Sequence, residues 1–271
     1  MNVNWTTIAM ALLIGTAPAV AQTPESTLPD PTSTGQTKEV VPEPERTGWA
    51  TLIKDTGRDF ASFPRRKSTW VLLAGGAAAA LAVHPADDYV ESHIVGNTTA
   101  ERIFRPGQIL GSAGFHVGTA LGLWVVGRYV VPSEGERRTN RVSHLGFDLL
   151  RAQIVTQTLV QTTKVVGQRD RPTGECCAFP SGHAASAFAA ASVLERHFGY
   201  RAWWPALTGA SYVAVSRLVD NRHFLSDVIF GAALGEAVGW TVVGRHGRSE
   251  YAVQPVPVRG GMMIALVRST D

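Results

Sequence analysis

Between residues 68 and 243 the chain repeats one pattern: an apolar stretch of helical length, closed by a proline or a short polar loop. Six such stretches are readable, roughly 68–84, 109–131, 147–165, 184–198, 203–219 and 224–243, and nothing among them alternates as a strand would. Pro85, Pro132, Pro172, Pro180 and Pro205 fall at or near their ends, where a residue lacking an N–H belongs in a helical protein. The expectation is an all-α core, a six-helix bundle, preceded by an amphipathic stretch from Trp49 to Phe63. Past Gly247, the runs Tyr251 to Val258 and Met262 to Val267 flank Arg259-Gly260-Gly261. They predict a short C-terminal β-hairpin within 248–271, its first strand kept to an edge by Pro255 and Pro257.

The N-terminal residues read differently. An apolar run over 8–15 is followed by Ala19-Val20-Ala21, a small-x-small pattern that suits signal peptidase, so 1–21 reads as a signal peptide, although Met1 to Thr7 carries no Lys or Arg. Residues 22–47 are mostly Thr, Pro, Ser and Glu and bury too little apolar surface to offset their ordering entropy, which predicts a disordered tether. Residues 48–247 remain for one helical domain.

At 45% hydrophobic and 17% charged, the chain is richer in apolar residues than a typical soluble enzyme and poorer than a transporter, which leaves membrane contact open. Beyond residue 47 it holds 23 basic against 17 acidic side chains. That excess suits a phosphorylated substrate or an anionic lipid surface, and is too small and too scattered for nucleic acid. Adjacent Cys176 and Cys177 exclude a zinc-ligand spacing; a pair of loop thiols and a vicinal disulfide that stiffens the loop both fit.

Three clusters carry the chemistry. The first is Lys164 with Arg171-Pro172, the second Pro180-Ser181-Gly182-His183, the third Ser216-Arg217 with His223 and Asp227. His223 and Asp227 are four apart, so on a helix they would share a face, and the carboxylate would fix the tautomer of a nucleophilic imidazole. The Pro-Ser-Gly turn stands before an apolar helix whose first N–H groups suit an anion; Gly182 allows close approach, Ser181 adds a hydroxyl donor or caps the helix, and His183 stands at the rim. Lys164, Arg171 and Arg217 supply three cations for the spreading charge of a phosphoryl group, so that no metal or other cofactor is required.

These clusters resemble the full signature of the type 2 phosphatidic acid phosphatase and vanadium haloperoxidase superfamily, over about 64 residues from Lys164 to Asp227. The resemblance implies the helical bundle of the acid phosphatases and haloperoxidases. It implies phosphate binding by Lys164, Arg171, Ser181, Gly182 and Arg217, with His183 as general acid, His223 as nucleophile and Asp227 orienting His223. The activity implied is metal-independent hydrolysis of a phosphate monoester, or of a lipid or isoprenoid phosphate, through a phosphohistidine. A vanadate-dependent haloperoxidase is the alternative, because the same cradle would hold vanadate.

Other residues have plainer readings. Arg169, Asp170 and Arg222 read chiefly as solvated loop charges, and His84, His116, His144 and His197 as packing or interface residues. Gln153, Thr156, Gln157, Thr158, Gln161 and Thr162 either satisfy one another in the bundle or line a polar pocket leading to Lys164.

Placement relative to a membrane is divided. Basic clusters at 65–67, 137–141, 196–201 and 245–248 would be cytoplasmic in a six-span reading with the catalytic loops outside, whereas a cleaved signal with six spans would put those loops inside. Within 48–247 the longest run without a charge is Pro106 to Gly127. The expectation is therefore an exported, periplasm-facing domain, soluble or membrane-associated, with an integral membrane protein as the alternative. Substrate identity and oligomeric state are not legible.

Overall fold

The computed structural model describes residues 46–132 and 139–244 with their side chains, and the backbone of 251–258 and 261–268. The signal peptide and all but the last two residues of the tether lie outside the described residues, as do Arg137, Arg138, Arg245 and Arg248.

Ten helices are described: α1 (Trp49–Ser62), α2 (Lys67–Val83), α3 (Asp87–Ile94), α4 (Thr98–Phe104), α5 (Pro106–Leu110), α6 (Ala113–Tyr129), α7 (Arg141–Gly167), α8 (Gly182–Phe198), α9 (Tyr200–Val219) and α10 (Leu225–Val243). Each of the six expected segments overlaps a long helix, but several ends move. α7 starts six residues early because Asn140 caps it, accepting from Ser143 N while Ser143 Oγ accepts from Asn140 N. The stretch 109–131 is not one helix: α5 stops at Gly111, Ser112 caps α6 by accepting from Phe115 N, and the two parts meet at a 50° bend. Helices α3 and α4 escape periodicity because they are short and polar; α4 starts where Asn97 accepts from Thr99 N and Ala100 N. Pro205, expected at an end, sits inside α9 near its start.

The ordered chain also begins earlier than expected. Thr47, assigned to the tether, is fully buried, and its carbonyl accepts from Trp124 Nε1 at 2.9 Å. Past α10, strands β1 (Tyr251–Val258) and β2 (Gly261–Arg268) pair antiparallel, with Tyr251 opposite Arg268 and Val258 opposite Gly261.

Trp124, Phe147, Val155, Val160, Val193 and Val238 form the fully buried part of the core. The crossing of α8 on α10 has a different character. Gly231, Gly235 and Gly239 recur every fourth residue on α10 and face Ser181, Ala185 and Ser192. A Cβ on Gly231 would stand 2.6 Å from the Ser181 carbonyl, and one on Gly235 would overlap the Ala185 carbonyl. Small residues at this spacing let two helix backbones touch.

Helix α2 is apolar on every side, yet Trp70, Val71 and Leu81 are exposed and its buried positions, Thr69, Gly76 and Ala80, make one narrow stripe; Gly76 meets Ala233 of α10. A helix apolar all round belongs in a protein core or a bilayer. By length and composition Lys67–Ile94 and Leu225–Val243 are each sufficient to cross a membrane, and the bent pair Thr98–Leu110 with Ala113–Tyr129 makes a third if it counts as one span. The longest uncharged run of the helical region is thus the broken one, while two other segments meet the criterion.

Substituting Gly235→Leu should force α8 off α10; overpacking of this kind costs about 1–3 kcal/mol. A lower Tm together with weaker phosphate binding is expected, and a Tm equal to that of the unaltered protein would show that the backbones do not touch there.

Candidate active site

The expected site residues converge at one end of the bundle, on a cavity of about 470 Å³. Its walls include Lys164 from the last turn of α7, Arg171 from the following loop, Gly182 and His183 from the start of α8, Arg217 from the last turn of α9, and His223 from the loop before α10. Two expected residues are not on the walls. Ser181 is fully buried and is the N-cap of α8, its Oγ accepting from Ala184 N at 3.5 Å. Asp227 is also fully buried, behind His223.

The cations are held in place by their own partners. Lys164 Nζ donates to the carbonyls of Cys177 and Ala178, the latter at 3.3 Å. Those carbonyls belong to a loop in which Cys176 and Cys177 form a disulfide, the second of the two forms the sequence left open, and in which Cys177 N and Ala178 N both donate to Arg169 O. Arg217 is ion-paired with Asp220, one turn along. Arg171 Nη1 and Arg222 Nη1 share Glu175 Oε2, at 3.0 and 2.9 Å.

His223 departs from the expected helix pair. It precedes Phe224, the N-cap of α10, so His223 and Asp227 do not lie on a common helix. Nδ1 of His223 is 3.8 Å from Asp227 Oδ2, beyond hydrogen-bond reach, and it is buried without a hydrogen-bond partner. Asp227 serves other donors: Oδ2 accepts from Phe224 N at 2.9 Å and Oδ1 from Arg169 Nη1 at 2.7 Å. Burial lowers the pKa of the His223 imidazole, the Asp227 carboxylate opposes this, and Lys164 and Arg217 add to the lowering.

His183 is tied down by a residue the sequence did not single out. Its Nε2 lies 3.2 Å from the Gln108 carbonyl, which only accepts, so Nε2 carries the proton. α5 delivers Gln108: Gly107 packs on Ser216 and Gly111 on His183 itself, leaving no room for a Cβ at either position. Burial, and then Arg217, bring the pKa of His183 down to about 4. Burial and Arg171 lower Lys164 to about 8, against the opposing pull of Asp227.

Arg169, read as a solvated charge, instead donates to both Asp227 and Asp87. The only sequence signal for it was adjacency to Arg171. Gln157 and Gln161 line the cavity, while Gln153 and Gln157 donate to Ser186 rather than to one another. Among the described residues no three His, Cys, Asp or Glu side chains are grouped to hold a metal ion.

Residues 157–250 match the family model of the PAP2 superfamily. The stretch that holds the site belongs to the PAP2 superfamily. The lipid A 1-phosphatase of Porphyromonas gingivalis is 42% identical over 85 residues, covering 30% of this chain and 19% of that protein's length. The crystal structure of a transmembrane PAP2-type phosphatidylglycerolphosphate phosphatase from Bacillus subtilis shares the fold, with a TM-score of 0.50 and 21% identity over 65% of this chain and 92% of that one. The PAP2 segment starts on α7 and takes in the whole cavity wall except Gln108 and Ala113.

A neutral His183 is favoured while only cations face it, because they and burial disfavour its charged form; an oxyanion among those cations reverses the sign. Nitrogen-15 imidazole spectra should therefore place its midpoint near 4 in the free protein and higher with saturating inorganic phosphate. A midpoint that phosphate leaves in place would separate His183 from the anion site.

Proposed function

We propose that the protein is a membrane-associated phosphatase that hydrolyses a lipid phosphate monoester without a metal ion, through a phosphohistidine on His223. The observation that carries this reading is that His183 and His223 share one cavity wall with Lys164, Arg171 and Arg217. Cations fixed by carbonyl and carboxylate partners, Arg217 among them buried, are preorganised for the charge that spreads over a transferring phosphoryl group. They supply the stabilisation that metal ions provide in other phosphatases. The activities carried by the names of the two relatives, a lipid A 1-phosphatase and a phosphatidylglycerolphosphate phosphatase, support a lipid phosphate as the substrate class.

In the first step His223 Nε2 attacks phosphorus, the bond from phosphorus to the leaving oxygen breaks, and His183 gives that oxygen its proton. The Gln108 carbonyl keeps Nε2 of His183 as the nitrogen that carries a proton. The dianionic substrate raises the pKa of His183 on arrival, which makes it an acid when it is needed. In the second step a water attacks phosphorus, His183 takes its proton, the phosphorus–nitrogen bond breaks, and inorganic phosphate leaves. Gly182 and the first N–H groups of α8 face the transferred oxygens. Asp227, behind His223, stabilises the cationic phosphoimidazole.

The bilayer reading rests on exposed apolar helix surface, chiefly on α2 and α6. The site lies at the end of the bundle where α7 and α9 finish and α8 and α10 begin. Basic residues collect at the other end: Arg66 donates to Trp240 O and Arg141 to His197 O, with Arg65, Lys67, Arg196 and Arg201 nearby in sequence. Such a bias keeps that end in the cytoplasm and the site outside. Of the placements that the sequence left open, this favours the membrane-associated one and keeps the site facing the periplasm.

Release of phosphate from phosphatidic acid, an isoprenoid pyrophosphate and p-nitrophenyl phosphate, each with EDTA present, tests the assignment. Turnover should persist in EDTA and favour a lipid; His183→Ala should cost about 10²- to 10⁴-fold, and His223→Ala should leave almost nothing. Retained turnover in His223→Ala would rule out the covalent route. For placement, a cysteine at Thr173 should react with an impermeant maleimide on intact cells, and one at Arg201 should not; the reverse pattern would invert the proposed orientation.

A further inference from the structure

Beyond the cations and the two histidines, the cavity wall is completed by Gln157 and Gln161 of α7, by Gln108 and Ala113 on either side of the α5–α6 bend, and by Gly182. Gln157, Gln161 and Lys164 are spaced by four and three residues, so they share one face of α7. The two amides therefore carry the wall about 10 Å back along the helix from Lys164. A volume of about 470 Å³ lies within the range of about 300–1,000 Å³ that takes a whole small molecule. The phosphoryl group among the cations fills only part of it.

The lining restricts what occupies the rest. Among the described residues no Asp or Glu lines the cavity, and no apolar side chain larger than that of Ala113 does. An acyl or isoprenoid chain finds no apolar wall inside, and an ammonium group finds no carboxylate. A neutral amide, which both donates and accepts, matches a hydroxyl group. Gln157 is held ready for this by its own bond, Nε2 donating to Ser186 Oγ at 2.6 Å.

The amides also stand beside the leaving group. A Cβ on Gly182 would lie 3.3 Å from Val160 Cγ1, and Ser186 is one turn further along α8, so the first turn of α8 lies against this stretch of α7. That turn carries His183, which protonates the departing oxygen in the reaction proposed above. We propose that Gln157 and Gln161 form a neutral subsite for the hydroxyl groups of the unit that bears the phosphate, a glycerol or a sugar. The protein thereby selects lipids in which a hydroxylated unit separates the phosphate from the apolar chains. The inference rests on the phosphatase reading and narrows its substrate class.

Two pairs of soluble esters test it on the full-length protein in detergent: glycerol 3-phosphate against propyl phosphate, and glucose 1-phosphate against cyclohexyl phosphate. The quantity read is the ratio of kcat/KM within a pair, hydroxylated over plain, compared between the unaltered protein and the double variant Gln157→Met/Gln161→Met, so that intrinsic reactivity cancels. The variant should lower the ratio about tenfold in at least one pair, as the loss of one or two neutral hydrogen bonds would. The pair that moves tells a glycerol carrier from a sugar. Equal losses on both members of each pair would make the amides structural, and no loss on any ester would make them bystanders; either result overturns the proposal. Should the double variant fail to fold, the exposed Gln161→Met alone should lower the ratio in the same direction, and an unaltered ratio overturns the proposal. Failure of the phosphatase reading would show separately, as absence of phosphate release from all four esters by the unaltered protein; the same ratios taken from dissociation constants by calorimetry then decide the subsite.

Discussion

Where α8 crosses α10, no side chain separates the two backbones. Gly231 admits the Ser181 carbonyl, Gly235 the Ala185 carbonyl and Gly239 the Ser192 side chain. At the same end Ser181 N donates to Asp227 O at 3.1 Å, so the turn that carries His183 is fastened to the turn that carries His223. Two loops more than forty residues apart thereby form one wall. Packing this tight is intolerant of even one added methylene.

Around that wall the cations lining the cavity each have a partner on the protein side. Lys164 leans on two loop carbonyls, Arg217 on Asp220, and Arg171 and Arg222 on Glu175. None has to move far to meet an anion, which is the condition for electrostatic preorganisation. Burial lowers the pKa of both histidines, and an anion held among the cations would oppose that lowering.

Much of this was legible in the sequence because the signals were local. Lys164, Arg171, Gly182, His183, Arg217 and His223 sit in short fixed patterns, and all six line the cavity. The long helices announced themselves through composition. What was missed depends on partners distant in the chain. Arg169 and Asp87 look like loop charges until a gap of 82 residues closes between them. Gln108 matters only because the α5–α6 bend turns its carbonyl onto His183. The four-residue spacing of Gly231, Gly235 and Gly239 was readable, yet nothing local says which helix it meets.

The central claim is that His223 carries phosphorus during turnover. It is tested most directly by rapid quench into alkali with a phosphorus-32 substrate, followed by mapping of the labelled peptide, since a phosphorus–nitrogen bond survives base and is lost in acid. The account predicts label on His223 within the first turnover, discharged as phosphate appears. Full-rate turnover with no labelled histidine, or label on His183 instead, would contradict it.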